Sequence, residues 1–253
     1  MTYYITVRHF RKSSLKTLSQ INHKNPKISK KTLAFTKSLY YNLDIFALKK
    51  DTGDFLEHYF TNNENLRSEL RTIKYEVKGV PFSFLSDNGV FSKDEIDYGS
   101  IVLVNSILKN TNNDNLNILD VGCGYGFIGI SLSKLFHSHV DMVDVNNRCL
   151  HLATQNIKNN KVDAFAFYSD ALDSVDKKYD LIVTNPPIRA GKKVVNKILF
   201  DAMKHLLPGC SLWFVIRKNQ GAKSAIKDLE SQGYIVEILA KDKGFYIMKA
   251  TCK

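Results

Sequence analysis

The sequence predicts an α/β fold: a mostly parallel seven-stranded sheet with an antiparallel last strand, preceded by a small β-hairpin region. Three observations carry this expectation. Apolar strand-like segments alternate with helical patterns from Leu116 onward, and a glycine-rich loop, Asp120 to Gly126, joins the first of these strands to its helix. The last two strands are joined by Lys241 to Gly244, which has room for a hairpin but not for a crossover helix.

Taken in order, Ile73 to Val77 and Pro81 to Leu85 read as short strands about a Lys78-Gly79 turn. Asp97 to Leu108 carries Ile101, Val102, Leu103, Val104, Ile107 and Leu108 among polar residues, the pattern of a largely buried helix. Strands are then expected at Leu116 to Val121, His139 to Val145, Val162 to Tyr168, Tyr179 to Thr184, Ser211 to Ile216, Tyr234 to Leu239 and Phe245 to Ala250. The helices between them are expected at Gly126 to Phe136, Asn147 to Asn159, Lys192 to Leu206 and Ala222 to Gln232. Three regions follow: a basic extension over residues 1–55, a hairpin and helix over 56–110 that pack on the core, and the main domain over 111–253.

Composition narrows the function classes. The chain has 253 residues, 44% of them hydrophobic, enough for one α/β domain and an appendage. No run of 18 apolar residues and no secretion signal is visible, so a soluble, cytoplasmic protein without a membrane partner is expected. Cys123, Cys149, Cys210 and Cys252 lack CxxC spacing, and the seven histidines are scattered. Neither a disulfide nor a metal site is expected. The net charge of +11 is uneven, because residues 1 to 43 hold nine Lys/Arg and no Asp/Glu. Removing those nine from the 36 basic residues leaves 27 against 25 acidic ones, a net of only +2. Attraction to a polyanion would therefore rest on the arm or on clusters such as Arg189, Lys192, Lys193 and Lys197. The arm itself reads as a flexible tail, an RNA-binding arm or a segment absent from the mature protein.

The loop Asp120-Val121-Gly122-Cys123-Gly124-Tyr125-Gly126 lies where open α/β sheets bind ligands. Glycines there allow positive φ and remove the Cβ that would hold a ligand off the backbone. Gly124, Gly126 and Gly129 also satisfy the dinucleotide pattern, and Asp144 at the end of the next strand suits the ribose of either adenosine-containing cofactor. Asp120 decides between them. A carboxylate before the first glycine opposes a pyrophosphate but can receive an ammonium group, which favours S-adenosylmethionine over NAD. Asp170 suits the adenine amino group and Ala171 offers its backbone N–H, although Asp170 equally suits a turn or helix cap.

Asn185-Pro186-Pro187 directly follows a strand and must leave the ladder. The prolines hold the preceding residues extended at the sheet's carboxyl edge. There the Asn185 side-chain oxygen and the Pro186 carbonyl can converge on one amino group.

Together, the Asp120 to Gly126 loop, Asp144 and Asn185-Pro186-Pro187 resemble the Rossmann-like class I methyltransferases, and the last element resembles their amino-methylating members. From about His58-Tyr59-Phe60 onward, Gly89-Val90-Phe91-Ser92, Asp97-Tyr98-Gly99-Ser100 and Asn185 to Lys192 are similar to the small-subunit ribosomal RNA guanine-N2 methyltransferase family. The resemblance implies S-adenosylmethionine as donor, with Asp120, Gly122, Gly124, Gly126, Asp144, Asp170, Ala171 and Asn185 at the cofactor. Asn185, Pro186 and Pro187 are then the catalytic element. It implies a guanine N2 of 16S ribosomal RNA, naked or in the small subunit, as acceptor, and says nothing of oligomeric state. Adenine N6, a glutamine amide, a non-catalytic RNA-binding relative and, last, an oxidoreductase are the alternatives. Relatives often carry an aromatic residue after the prolines, where this chain has Ile188, so base stacking is expected elsewhere, with Phe91, Tyr98 and Phe127 available. Because the resemblance starts near Leu56, the expectation is that Leu56 marks the native start.

Overall fold

The computed structural model describes residues 66–111 and 114–252. The basic extension over 1–55 and the start at Leu56 lie outside the described residues. The first two strands, β1 (Arg71–Val77) and β2 (Val80–Ser86), pair antiparallel about Lys78 and Gly79. Both turn residues have positive φ, at 47° and 79°, as a two-residue hairpin turn demands. Helix α1 (Tyr98–Asn110) follows, its N-terminus capped by the Asp97 carboxylate, which accepts from the Ser100 N–H.

The alternating part comprises β3 (Asn117–Val121), α2 (Phe127–Leu135), β4 (His139–Asp144), α3 (Asn147–Asn160), β5 (Ala164–Tyr168), β6 (Tyr179–Thr184) and α4 (Lys192–Lys204). It closes with β7 (Leu206–Arg217), α5 (Ala222–Ser231), β8 (Ile235–Asp242) and β9 (Phe245–Thr251). The seven strands lie in the order β5-β4-β3-β6-β7-β9-β8. All neighbours are parallel except β9, which is inserted between β7 and β8 and runs antiparallel to both. The chain winds outward from β3 in one direction through β4 and β5, then in the other from β6. The carboxyl ends of β3 and β6 therefore flank the topological switch point.

The sequence-level boundaries shift for identifiable reasons. Val162 does not begin β5; its N–H closes α3 onto the Ile157 carbonyl at 3.3 Å, behind Lys161 at φ 55°. Helix α4 stops at Lys204 because Leu206 already pairs with Tyr179, so β7 starts five residues before the expected Ser211 and crosses Pro208 and Gly209 at a register shift. Lys241 and Asp242 belong to β8, which leaves Lys243 and Gly244 alone in the turn, with φ of 43° and 83°.

One face of the sheet packs against α1, α2, α3 and the hairpin around Phe84, Leu103, Ile107, Ile130 and Trp213. The other packs against α4 and α5 around Leu199, Phe214, Leu229 and Met248. The hairpin is held by more than apolar contact. The Asn156 amide on α3 accepts from Leu85 N–H at 2.7 Å and donates to the Leu85 carbonyl at 2.9 Å. One turn on, Asn160 repeats this with Ser83, at 3.1 and 2.8 Å. Two side-chain amides thus satisfy the edge of β2 as a further strand would.

Candidate active site

Val121, the last residue of β3, is in register with Thr184, the last of β6, and the Thr184 hydroxyl donates to the Val121 carbonyl at 2.8 Å. The glycine loop and the Asn-Pro-Pro turn therefore leave the sheet side by side. In the loop, Gly122, Gly124 and Gly126 have φ of 73°, 57° and 98°. A Cβ at Gly122 or Gly124 would meet nothing within 4 Å, so both face open space, whereas one at Gly126 would strike Ile130. Gly129 serves packing: its Cβ would lie 2.4 Å from the Met142 sulfur, so only glycine lets α2 approach β4 there.

Asp144 braces the loop from β4, accepting from Gly124 N–H at 2.9 Å and from Asn146 N–H at 2.8 Å, and burial raises its pKa. Asp120 is fully buried. One of its oxygens accepts from Gly129 N–H at 2.9 Å, while Oδ1 has no partner among the described residues. Burial first, and the Asp144 charge in addition, push its pKa from 3.8 up to about 7 against the opposing hydrogen bond. A buried carboxylate with an unused oxygen beside an open glycine cradle suits a cationic group. Asp170, after β5, is exposed, and its carbonyl takes the Asp173 N–H at 3.1 Å in a turn; Ala171 beside it has φ 49°.

Asn185 is the most constrained residue of its turn. Its Nδ2 donates to Asp97 Oδ2 at 2.8 Å and to Ser100 Oγ at 2.9 Å, both at the start of α1. A carboxylate only accepts, so the amide nitrogen must face it and Oδ1 must point away. Pro187 spends its carbonyl on Ala190 N–H at 3.0 Å in the short 3-10 turn Ile188–Ala190, which Gly191, at φ 92°, joins to α4. No described residue donates to Asn185 Oδ1 or to the Pro186 carbonyl. Two acceptors are left at the switch point.

Asp97 and Ser100 had no assigned role in the sequence reading, where they served only as part of a resemblance; the Asp-x-x-Ser spacing of a helix cap was the available sign. Of the aromatic candidates, Phe127 is buried against Tyr75 and Phe84, and Tyr98 donates its hydroxyl to Asp242 at 2.7 Å with Lys243 over its ring. Phe91 is 56% exposed. Its loop is tied to Asn146 through the Gly89 carbonyl at 3.3 Å and ends at Asp97.

The methyltransferase small domain family matches residues 81–249. The chain belongs to that family. Membership in a methyltransferase family implies S-adenosylmethionine as donor, and the class I fold expected from the motifs is the one observed. Protein YbxB of Bacillus subtilis, itself uncharacterized, is 42% identical over 198 residues, covering 77% of this methyltransferase and 98% of that protein. Ribosomal RNA small subunit methyltransferase C of Mannheimia succiniciproducens is 35% identical over 133 residues, 50% of this chain but 39% of the relative. Among solved structures, the T. thermophilus 16S rRNA N2 G1207 methyltransferase in complex with AdoMet and guanosine has a TM-score of 0.66 at 22% identity, over 74% of this chain and 52% of that one. This methyltransferase thus spans about half, or less, of the ribosomal RNA methyltransferases it matches. Among the described residues no helix is long and apolar enough to cross a membrane, and no group of three His, Cys, Asp or Glu is placed to hold a metal ion.

Proposed function

We propose that this methyltransferase transfers a methyl group from S-adenosylmethionine to the exocyclic N2 of a guanine in 16S ribosomal RNA. The observation that carries the amine chemistry is the Asn185 amide, turned by Asp97 and Ser100 so that Oδ1 and the Pro186 carbonyl are both left as acceptors. The guanine and its RNA rest on the partial matches to ribosomal RNA small subunit methyltransferase C.

The residues fit the donor. Asp120 would take its ammonium group, Gly122 and Gly124 would admit it close to the backbone, Asp144 would take ribose hydroxyls, and Asp170 and Ala171 the adenine edge. When bound, S-adenosylmethionine supplies a methyl carbon made electrophilic by its sulfonium. The protein's part is placement. A planar NH₂ donating to Asn185 Oδ1 and to the Pro186 carbonyl is fixed in position, which removes much of the entropic barrier to attack. The carboxylate of Asp97 behind the amide polarises it, strengthening Oδ1 as an acceptor while positive charge grows on the nitrogen. With the amine so held, the proton released afterwards can pass to water without a dedicated strong base. Phe91 is the exposed aromatic face, on a loop tethered at both ends, against which the base would stack in place of a residue at Ile188.

The test is nucleoside analysis of ribosomal RNA incubated with the protein and labelled S-adenosylmethionine. N2-methylguanosine is the expected product, and label on any other nucleoside, or none, rejects the substrate. Asn185→Ala should lower turnover by roughly 10²- to 10³-fold with cofactor affinity retained. Equal loss of both would remove Asn185 from the amine site.

A further inference from the structure

Several cations of the described surface are paired with carboxylates. Lys177, Lys192, Lys197 and Lys204 each lie within 2.9 Å of an aspartate oxygen, and Arg148 lies 3.1 Å from Asp87. Lys192 and Lys197, half of the cluster singled out in the sequence, are thus neutralised by Asp228 and Asp173. By contrast Arg217, Lys218 and Lys243 are exposed and form no ion pair among the described residues. The three are neighbours. Arg217, at the end of β7, pairs with Phe245 at the start of β9, and Lys218 N–H donates to the Gly244 carbonyl at 2.8 Å, next to Lys243 in the turn. Two of them rest on aromatic rings, Arg217 4.2 Å above the Phe245 centroid and Lys243 Nζ 4.3 Å above that of Tyr98.

Those rings lead to the amine site. A Cβ on Gly99 would fall 2.7 Å from the Phe245 ring and 3.1 Å from Asp97 Oδ2, so Phe245 packs directly on the turn of α1 whose Asp97 holds Asn185. The nearby Asp242 is engaged by the Tyr98 hydroxyl at 2.7 Å. A nucleobase whose amine reaches Asn185 brings its own phosphodiesters to within a nucleotide's length, and uncompensated cations beside the packing that holds Asn185 suit phosphate oxygens. We propose that Arg217, Lys218 and Lys243 form the RNA-binding rim of this enzyme, taking the phosphates that flank the target guanine. This rests on the ribosomal RNA reading above.

The experiment measures affinity for deproteinised 16S ribosomal RNA against salt. The variant R217Q/K218Q/K243Q is compared with wild type and with K192Q/K197Q/K204Q, which removes the same charge from paired lysines. Loss of three phosphate contacts should lower the slope of log affinity on log salt by about 2 and weaken binding on the order of 100-fold near ~0.1 M salt. S-adenosylmethionine affinity should be unchanged and the paired-lysine variant should stay close to wild type. K218Q/K243Q, which leaves Arg217 on Phe245, should show about two thirds of the slope change even if the triple variant is unstable. A wild-type slope in the rim variants, an equal drop in the paired-lysine variant, or no binding by the wild type overturns the proposal. Rim-dependent binding without N2-methylguanosine upholds the rim and rejects the guanine reading instead.

Discussion

Substituting Asp120 by asparagine tests the cofactor half of the site through a property of the protein alone. Its carboxyl is fully buried, keeps one oxygen unpaired, and has its pKa raised from 3.8 to about 7, chiefly by burial. Between those values the folded protein holds a proton that the unfolded chain has released, so stability falls as pH rises. A shift of about three units corresponds to roughly 4 kcal/mol, complete once the pH passes about 7. Asparagine can still accept from Gly129 N–H but does not ionise. Asp120→Asn should therefore match wild type near pH ~4 and exceed it by up to about 4 kcal/mol near pH ~8, on the order of 10 °C in melting temperature. His139, whose pKa is raised by Asp141 and Asp163, also loses stabilisation as pH rises through its folded value, but it does so in both proteins and cancels in the difference. Calorimetry with S-adenosylmethionine should show the opposite sense. If Asp120 takes the ammonium as proposed, wild-type affinity should rise about tenfold per pH unit below ~7 and then level off, while the variant binds weakly without that rise. Parallel pH profiles for the two proteins, in melting and in binding, would refute both the buried ionisation and the ammonium role.

Asp97→Ser keeps a side-chain cap for α1 but withdraws the carboxylate from Asn185, so turnover should fall about tenfold or more while stability changes by no more than ~1 kcal/mol, read by steady-state kinetics and melting. Asn156→Leu removes its paired contacts to Leu85 and its 2.9 Å bond to the Tyr125 carbonyl in the glycine loop, and should cost about 3 kcal/mol, or roughly 10 °C in a thermal melt. Phe91→Ala should weaken RNA binding by roughly 1 to 3 kcal/mol with cofactor affinity intact, and Phe91→Trp should restore it; rescue by leucine would point to packing rather than stacking.

The sheet was legible because local composition agrees with tertiary demand. The strand from Tyr179 to Thr184 keeps its expected bounds since both faces of β6 are covered, and the apolar run ends at Asn185-Pro186 where the backbone must leave the ladder. The glycine loop was equally plain, because its three positive-φ positions, 122, 124 and 126, are glycines in the sequence. Less visible were strand ends governed by partners elsewhere. Nothing near Pro208 indicates that Leu206 will pair with Tyr179, and that pairing is what lengthens β7 and shortens α4. The two asparagines that edge β2 were invisible for a similar reason: mid-helix, their amides have value only once a strand lies beside them.

The two halves of the proposed site differ in how they are encoded. Asp120, the glycines and Asp144 lie within one strand-loop-helix-strand run, and a local motif suffices to place them. The amine half is assembled across the chain, for Asn185 takes its orientation from Asp97, 88 residues earlier. Asn185-Pro186-Pro187 supplies the acceptors, but their direction belongs to the segment between the hairpin and α1, which also carries Phe91. If that segment were exchanged with the turn left intact, Oδ1 would be aimed differently on an unchanged fold. On the proposed amine chemistry, the choice among planar amines is set outside the Asn-Pro-Pro turn, and variation in residues 87–100 should alter substrate more readily than variation in the prolines.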